Sequence, residues 1–177
     1  IMEFCYQFLW KVHNRLLYYE ARKGTLSHLG GDMWAIRKGI VHRIPKCIIN
    51  DDAYLGIMLK KKGWRIAFVP QAEVFIMSPA TPIAYVQQRQ RIIIGHKQIQ
   101  KLTGVEPTTI GALALKKPCS SLTLIVEEAR TSKFSSYPKI LVGIFLEILA
   151  NIIARIKFKE MHEYVKWKPI IGTKSFH

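Results

Sequence analysis

Two adjacent carboxylates, Asp51 and Asp52, stand where the apolar pair Ile48-Ile49 gives way to Tyr54, Leu55, Met58 and Leu59, which recur at helical spacing. That spacing predicts a helix after the acids, with a buried segment feeding it and both carboxylates at its start. An acid there is stabilised by free backbone N–H groups and by the positive end of the helix dipole; an N-cap contributes about 1 kcal/mol. One acid suffices as a cap, which leaves the second for solvent or for chemistry. The helix is predicted to end at Lys60-Lys61-Lys62-Gly63. There the cations meet the negative end of the dipole and glycine permits a left-handed cap, so the lysines need no ligand.

The chain then runs through Gly63-Trp64-Arg65, a short strand-like stretch at 66–69, Pro70, Ala72, Val74 and Phe75, and reaches Pro79-Ala80-Thr81-Pro82 and Gln88-x-x-Arg91. Thr81-Pro82 is a helix start, because proline is pre-organised for the first turn. Within that helix Gln88, Arg91, Ile92 and Gly95 share a face. The ordered set resembles the C-terminal half of the catalytic domain of family 2 glycosyltransferases, an inverting group that includes cellulose, chitin and hyaluronan synthases. Their pattern is Thr-Glu-Asp, two residues, Leu-Gly, then Gly-Trp-Arg, a Pro-x-Ala strand, a Pro-x-Thr helix start and Gln-x-x-Arg-Trp. Asn50, Asp51 and Asp52 occupy the Thr-Glu-Asp places, Gln88 and Arg91 those of Gln-x-x-Arg, and Ile92 replaces the Trp.

The resemblance implies an α/β fold, the later part of a GT-A (Rossmann-like) domain, with short strands near Trp34 and at 66–69. It implies Asp52 as general base with Asp51 beside the acceptor. Gln88 and Arg91 would steady the donor diphosphate and the acceptor edge, with Arg89 flanking them; guanidinium grips phosphate through paired donors. The segment Gly31-Asp32-Met33-Trp34 matches a glycine-containing acceptor site, where a residue without Cβ lets backbone approach a sugar. Read without the family, Gly30-Gly31 is a turn and Trp34 a core residue. The implied cofactors are a UDP- or GDP-sugar donor and, in the full-length enzyme, Mg or Mn. No Asp-x-Asp pair occurs in the sequence, so the metal ligands are expected in a missing N-terminal half and this chain is expected to be inactive alone. The start at Ile1 rather than Met, with no signal peptide, accords with a fragment.

Two domains are expected: 1–118, the acceptor-side half, and 119–177, a helical, basic, membrane-associated tail. Residues 2–22 place Phe8, Leu9, Val12, Leu16 and Tyr19 on one side of a helix. From 97 to 118 the sequence predicts a loop with short helical pieces; 122–131 reads as helix and Ser135-Ser136-Tyr137-Pro138 as a linker. The stretch 140–154 is apolar except for Glu147 and Asn151. Fifteen residues give only about 22 Å, short of the roughly 30 Å hydrocarbon core, so an interfacial or core-packed helix is expected in place of a span. Lys157, Lys159, Lys166, Trp167 and Lys168 have the mix of cations and aromatic rings suited to anionic headgroups.

The net charge of +15 calls for an anionic partner. No zinc or RNA-binding signature accompanies it, so a membrane surface, on the cytoplasmic face of the cell membrane, is expected rather than nucleic acid. The other partner would be a glycan or lipid-linked acceptor. Cys5, Cys47 and Cys119 are odd in number and lack ligand-spaced His, which predicts reduced core thiols and no metal site. The alternative function is a non-catalytic basic module binding membranes or nucleic acid.

Overall fold

The helix from Pro82 to Thr103 forms as its punctuation dictates. Thr81 Oγ1 accepts from Ala84 N at 3.1 Å, Pro82 opens the first turn, and Gly104 closes the last with φ of 72° while its N–H reaches Gln100 O. In the computed structural model, which describes residues 1–30, 32–41 and 43–166, this helix is the axis of the molecule. The elements in order are α1 (Met2–Arg22), α2 (Asp51–Lys61), α3 (Pro82–Thr103), α4 (Ile110–Lys116), α5 (Pro118–Arg130) and α6 (Tyr137–Ile156). Single 3-10 segments at Phe134–Ser136 and Lys157–Tyr164 precede and follow α6.

Helix α6 packs along α3 and α1, and the 3-10 segment after it folds back onto α3. Its buried residues, Ile140, Gly143, Leu146, Ala150 and Ala154, step by three and four, which puts them on one face. The small residues let the helix approach closely: a Cβ at Gly143 would touch Cys5 at 3.4 Å. Tyr6 of α1, Tyr85 and Val86 of α3, and Leu146 and Ala150 of α6 form one cluster. Burying a side chain such as Leu146 stabilises by about 1.5–3 kcal/mol. A second cluster joins α1 to α2 through Leu17, Leu26, Leu29, Leu55, Leu59 and Ile66.

The α/β expectation is overturned: among the described residues there is helix and irregular chain but no strand. The stretches expected as strands, near Trp34 and at 66–69, run as irregular chain. A strand exists only as part of a ladder. Residues 66–68 and 73–76 make no backbone–backbone hydrogen bond among the described residues. Apolar pattern supplied Ile66 and Phe68 to the α1–α2 cluster without supplying a ladder partner. The thiols also differ from expectation, since Cys5 is buried but Cys47 and Cys119 are exposed. The loop expected from 97 is helix as far as Thr103, and of the expected linker at 135–138 Ser135 and Ser136 lie in a 3-10 segment while Tyr137 and Pro138 open α6. Among the described residues no helix is long and apolar enough to cross a membrane.

Candidate functional site

Asn50 is the residue before α2, yet its side chain makes no cap. Its Nδ2 donates instead to Ile92 O of α3 at 2.8 Å. The local cap falls to Asp51, whose Oδ1 accepts from Asp52 N at 3.0 Å. Asp51 is exposed and Asp52 half-buried. Burial pushes the Asp52 carboxyl up to about 6; the nearby Asp51 and Asp32 carboxylates push the same way, against backbone N–H bonds that favour its charge. Arg91 comes from α3 and donates from Nη2 to Ile49 O at 3.0 Å, while its Nε is buried without a partner. Burial lowers its proton affinity and the two acids oppose that. A carboxyl near neutrality and a cation thus share one neighbourhood.

Asp32 and Trp34 line an adjoining groove of about 1370 Å³ between α1 and the irregular stretches at 26–40 and 64–78. Both side chains are exposed, and partial burial raises the Asp32 carboxyl. Trp10, Trp64, Phe68 and Phe75 add rings to the same walls. Gly31 lies outside the described residues. Gln88 reaches the groove through Tyr6, with Nε2 donating to the phenol oxygen at 3.3 Å. Its Oε1 is buried without a partner, as are Trp10 Nε1 and His28 Nδ1, both on the groove wall. Buried polar atoms without partners are costly and are the usual positions for ligand or water contacts.

Arg89 turns elsewhere. Its Nε and Nη2 donate to the two carboxylate oxygens of Glu147 on α6 at 2.7 and 3.0 Å, and Tyr85 Oη donates to the same carboxylate at 2.7 Å. The side chain of Arg89 therefore fastens α3 to α6, whereas Arg91, two residues on, leads to the acids. Nearby, the rings of His13, His28 and His96 stand edge to face, with centroids 5.3 and 5.4 Å apart. Burial, then neighbouring positive charge, depresses all three, His28 to about 4. Sequence reasoning missed this imidazole column, because its members come from α1, an irregular segment and α3. It did note Glu147 on the polar stripe of the last helix, though not its partner.

Among the described residues no group of three His, Cys, Asp or Glu could hold a metal ion. They do not fit a divalent cation, and no step below passes through one. The described residues form a helical protein in which a near-neutral carboxyl and a guanidinium share one neighbourhood, with Asp32 of the aromatic groove close enough to act on the same carboxyl. Residues 9–95 match the family described as glycosyltransferase like family 2, which supports a family 2 glycosyltransferase fragment over that stretch. That match supports a transferase. No curated protein and no solved structure matches the chain. The matched stretch includes most of the groove's lining, both acids, Gln88 and Arg91; Glu3, Tyr6 and Gln7 of the groove precede it and α6 with Glu147 lies beyond it.

Proposed function

We propose that these residues serve the acceptor side of inverting sugar transfer from a nucleotide-sugar, a UDP- or GDP-sugar, to a glycan or lipid-linked acceptor. The acceptor hydroxyl attacks the anomeric carbon, the bond to the nucleotide diphosphate breaks, and the hydroxyl proton goes to the Asp52 carboxylate. The observation that carries this reading is Asp52, whose carboxyl at about 6 matches the working range of a general base near neutral pH. Arg91 places positive charge where the departing diphosphate develops negative charge. The rings and unpaired polar atoms of the groove suit a hydroxylated acceptor, apolar on its faces and polar at its edges. Magnesium or manganese is proposed only for the native enzyme, with ligands outside the described residues.

Transfer from UDP- and GDP-sugars by the native enzyme provides the test. Asp52→Asn keeps size and much of the hydrogen bonding but cannot take the proton, so turnover should fall about 10²–10⁴-fold with donor binding nearly intact. Wild-type rate should also fall as pH drops below about 6, where Asp52 becomes protonated. Normal turnover in folded Asp52→Asn removes the base assignment.

An anionic bilayer surface is the proposed partner of α6, on the cytoplasmic face of the cell membrane. Leu141, Phe145, Ile148, Ile152 and Ile156 are all exposed and step by three and four along it, while Glu147 is engaged with Arg89. Lys139, Arg155 and Lys157 lie at its two ends; of the rest of the expected basic patch, Lys159 and Lys166 follow it, and Trp167 and Lys168 lie outside the described residues. Each cation near such a surface contributes about 1 kcal/mol, so the chain should sediment with vesicles containing phosphatidylserine at much lower lipid concentration than with neutral ones. Equal partitioning to both would end this reading.

A further inference from the structure

The acids do not hold their own position. They follow Cys47-Ile48-Ile49, a segment that belongs to no helix, so whatever fixes its backbone fixes them. Four hydrogen bonds tie that segment and Asn50 to α3. Gln98 Oε1 accepts from Ile49 N at 3.0 Å, and Gln98 Nε2 donates to Cys47 O at 2.7 Å. Arg91 Nη2 donates to Ile49 O, and Asn50 Nδ2 donates to Ile92 O. Gln98 thus offers one acceptor and one donor to alternate backbone groups, as a neighbouring strand would. It is buried, with 5% of its surface exposed, so water cannot easily replace either bond.

Helical spacing explains why these groups meet. Arg91, Gly95 and Gln98 are separated by four and three residues and so lie along one face of α3. Between the two polar side chains Gly95 leaves room for Asn50: a Cβ there would sit 2.5 Å from Asn50 Cγ and Oδ1. No rearrangement of a flexible tip would relieve that overlap, because Asn50 is itself buried and bonded to Ile92 O. The face therefore consists of two side chains that bond the segment and a gap that admits it.

We propose that Gln98 is a positioning residue for sugar transfer: its carboxamide, set beside the gap at Gly95, holds the 47–50 backbone at the height that places Asp52 beside Arg91. This rests on the reading of Asp52 as the base. Gln98 touches neither substrate nor reacting atoms; it acts through Ile49 and Cys47. Gln98 also lies three residues beyond the stretch that matches the family, so its role comes from the geometry alone. The charged groups around the acid are Asp51, Asp32 and Arg91, and each keeps its identity when Gln98 is changed. A change in how Asp52 titrates then reports a change of place.

The experiment uses the whole chain and needs no donor: the side-chain carboxylate of Asp52 is titrated by carbon-13 NMR in wild type, Gln98→Met and Gly95→Ala. Methionine has similar length and volume but neither bond, and alanine at 95 displaces Asn50 with Gln98 intact. In both variants the Asp52 midpoint should fall from about 6 by about one pH unit, as the loosened segment gives the carboxylate back to water. In the native enzyme the acid limb of the rate profile should move with it, and turnover should drop about 10²-fold through misplacement. An unchanged midpoint in variants with wild-type helical content overturns the proposal and leaves Gln98 as a residue of the core. If Gln98→Met does not fold, Gly95→Ala carries the same test. Because the midpoint is read without substrate, its result is independent of whether Asp52→Asn abolishes turnover.

Discussion

The segments at 47–50 and 66–76 both carry apolar residues outside any helix, yet they take opposite fates. The first is buried from Ile48 to Asn50, and two side chains of α3 bond its backbone. The second lies along an open groove, with Val69, Val74 and Phe75 exposed. Its neighbours across the groove include the polar Glu3, Gln7, Lys11 and Asn14 as well as rings, yet among the described residues none makes a backbone–backbone bond to 66–68 or 73–76. Backbone polar groups need partners, and side chains supply them as effectively as strands. The difference therefore lies less in the segments than in what faces them. A helix bearing Arg and Gln at the right steps fixes a backbone; the groove wall leaves residues 66–68 and 73–76 without such a frame.

The largest effect expected on this contrast comes from the support of α3 itself. Arg89 and Glu147 are mostly buried, with side-chain exposures of 17% and 21%. Glu147→Leu leaves the guanidinium and the Tyr85 hydroxyl without their shared acceptor, and removing one member of a buried pair typically costs about 3–5 kcal/mol. Urea unfolding should show that loss. Hydrogen exchange then refines the comparison, because the Ile49 amide, bonded to Gln98, should exchange faster in step with the lost global stability. Amides at 66–68 should exchange rapidly in both proteins. If Ile49 already exchanges as fast as 66–68 in wild type, the two segments do not differ as described.

Local signals made most of the helices legible. Thr81-Pro82 marks the start of α3, the lysines and Gly63 mark the end of α2, and periodicity marks α1 and α6. Each depends on residues a few positions apart. The fold class was not legible: the α/β expectation came with the family resemblance, and short apolar runs say nothing of whether a ladder partner exists. The same limit governed the site. Asp51, Asp52, Gln88 and Arg91 were singled out by order along the chain, and the structure brings the two acids and Arg91 into one neighbourhood, with Gln88 reaching the groove through Tyr6. What Arg89 binds depends on Glu147, 58 residues away. Gln98 carries no signal as a single amide in a helix. Its meaning lies in a seven-residue step from Arg91 and in a segment that only the fold brings to it.

The smallest expected effect tests whether the groove wall is as open as it stands. Phe75 is 98% exposed and Ile49 3% exposed, although both are large apolar residues outside any helix. Truncating an exposed side chain away from special features usually changes stability by no more than about 0.5 kcal/mol, so Phe75→Ala should leave the urea midpoint nearly unmoved. Ile49→Ala is the control in the clamped segment: it empties space among Ile94, Ala154 and Ile93 and should cost about 2–5 kcal/mol. The ratio between the two measures how far side-chain bonding has turned one irregular segment into core. A loss above about 1 kcal/mol in Phe75→Ala, well outside the surface range, means that another surface covers the ring in solution. The contrast between the segments then reduces to a difference in partner, with the second as firmly held as the first.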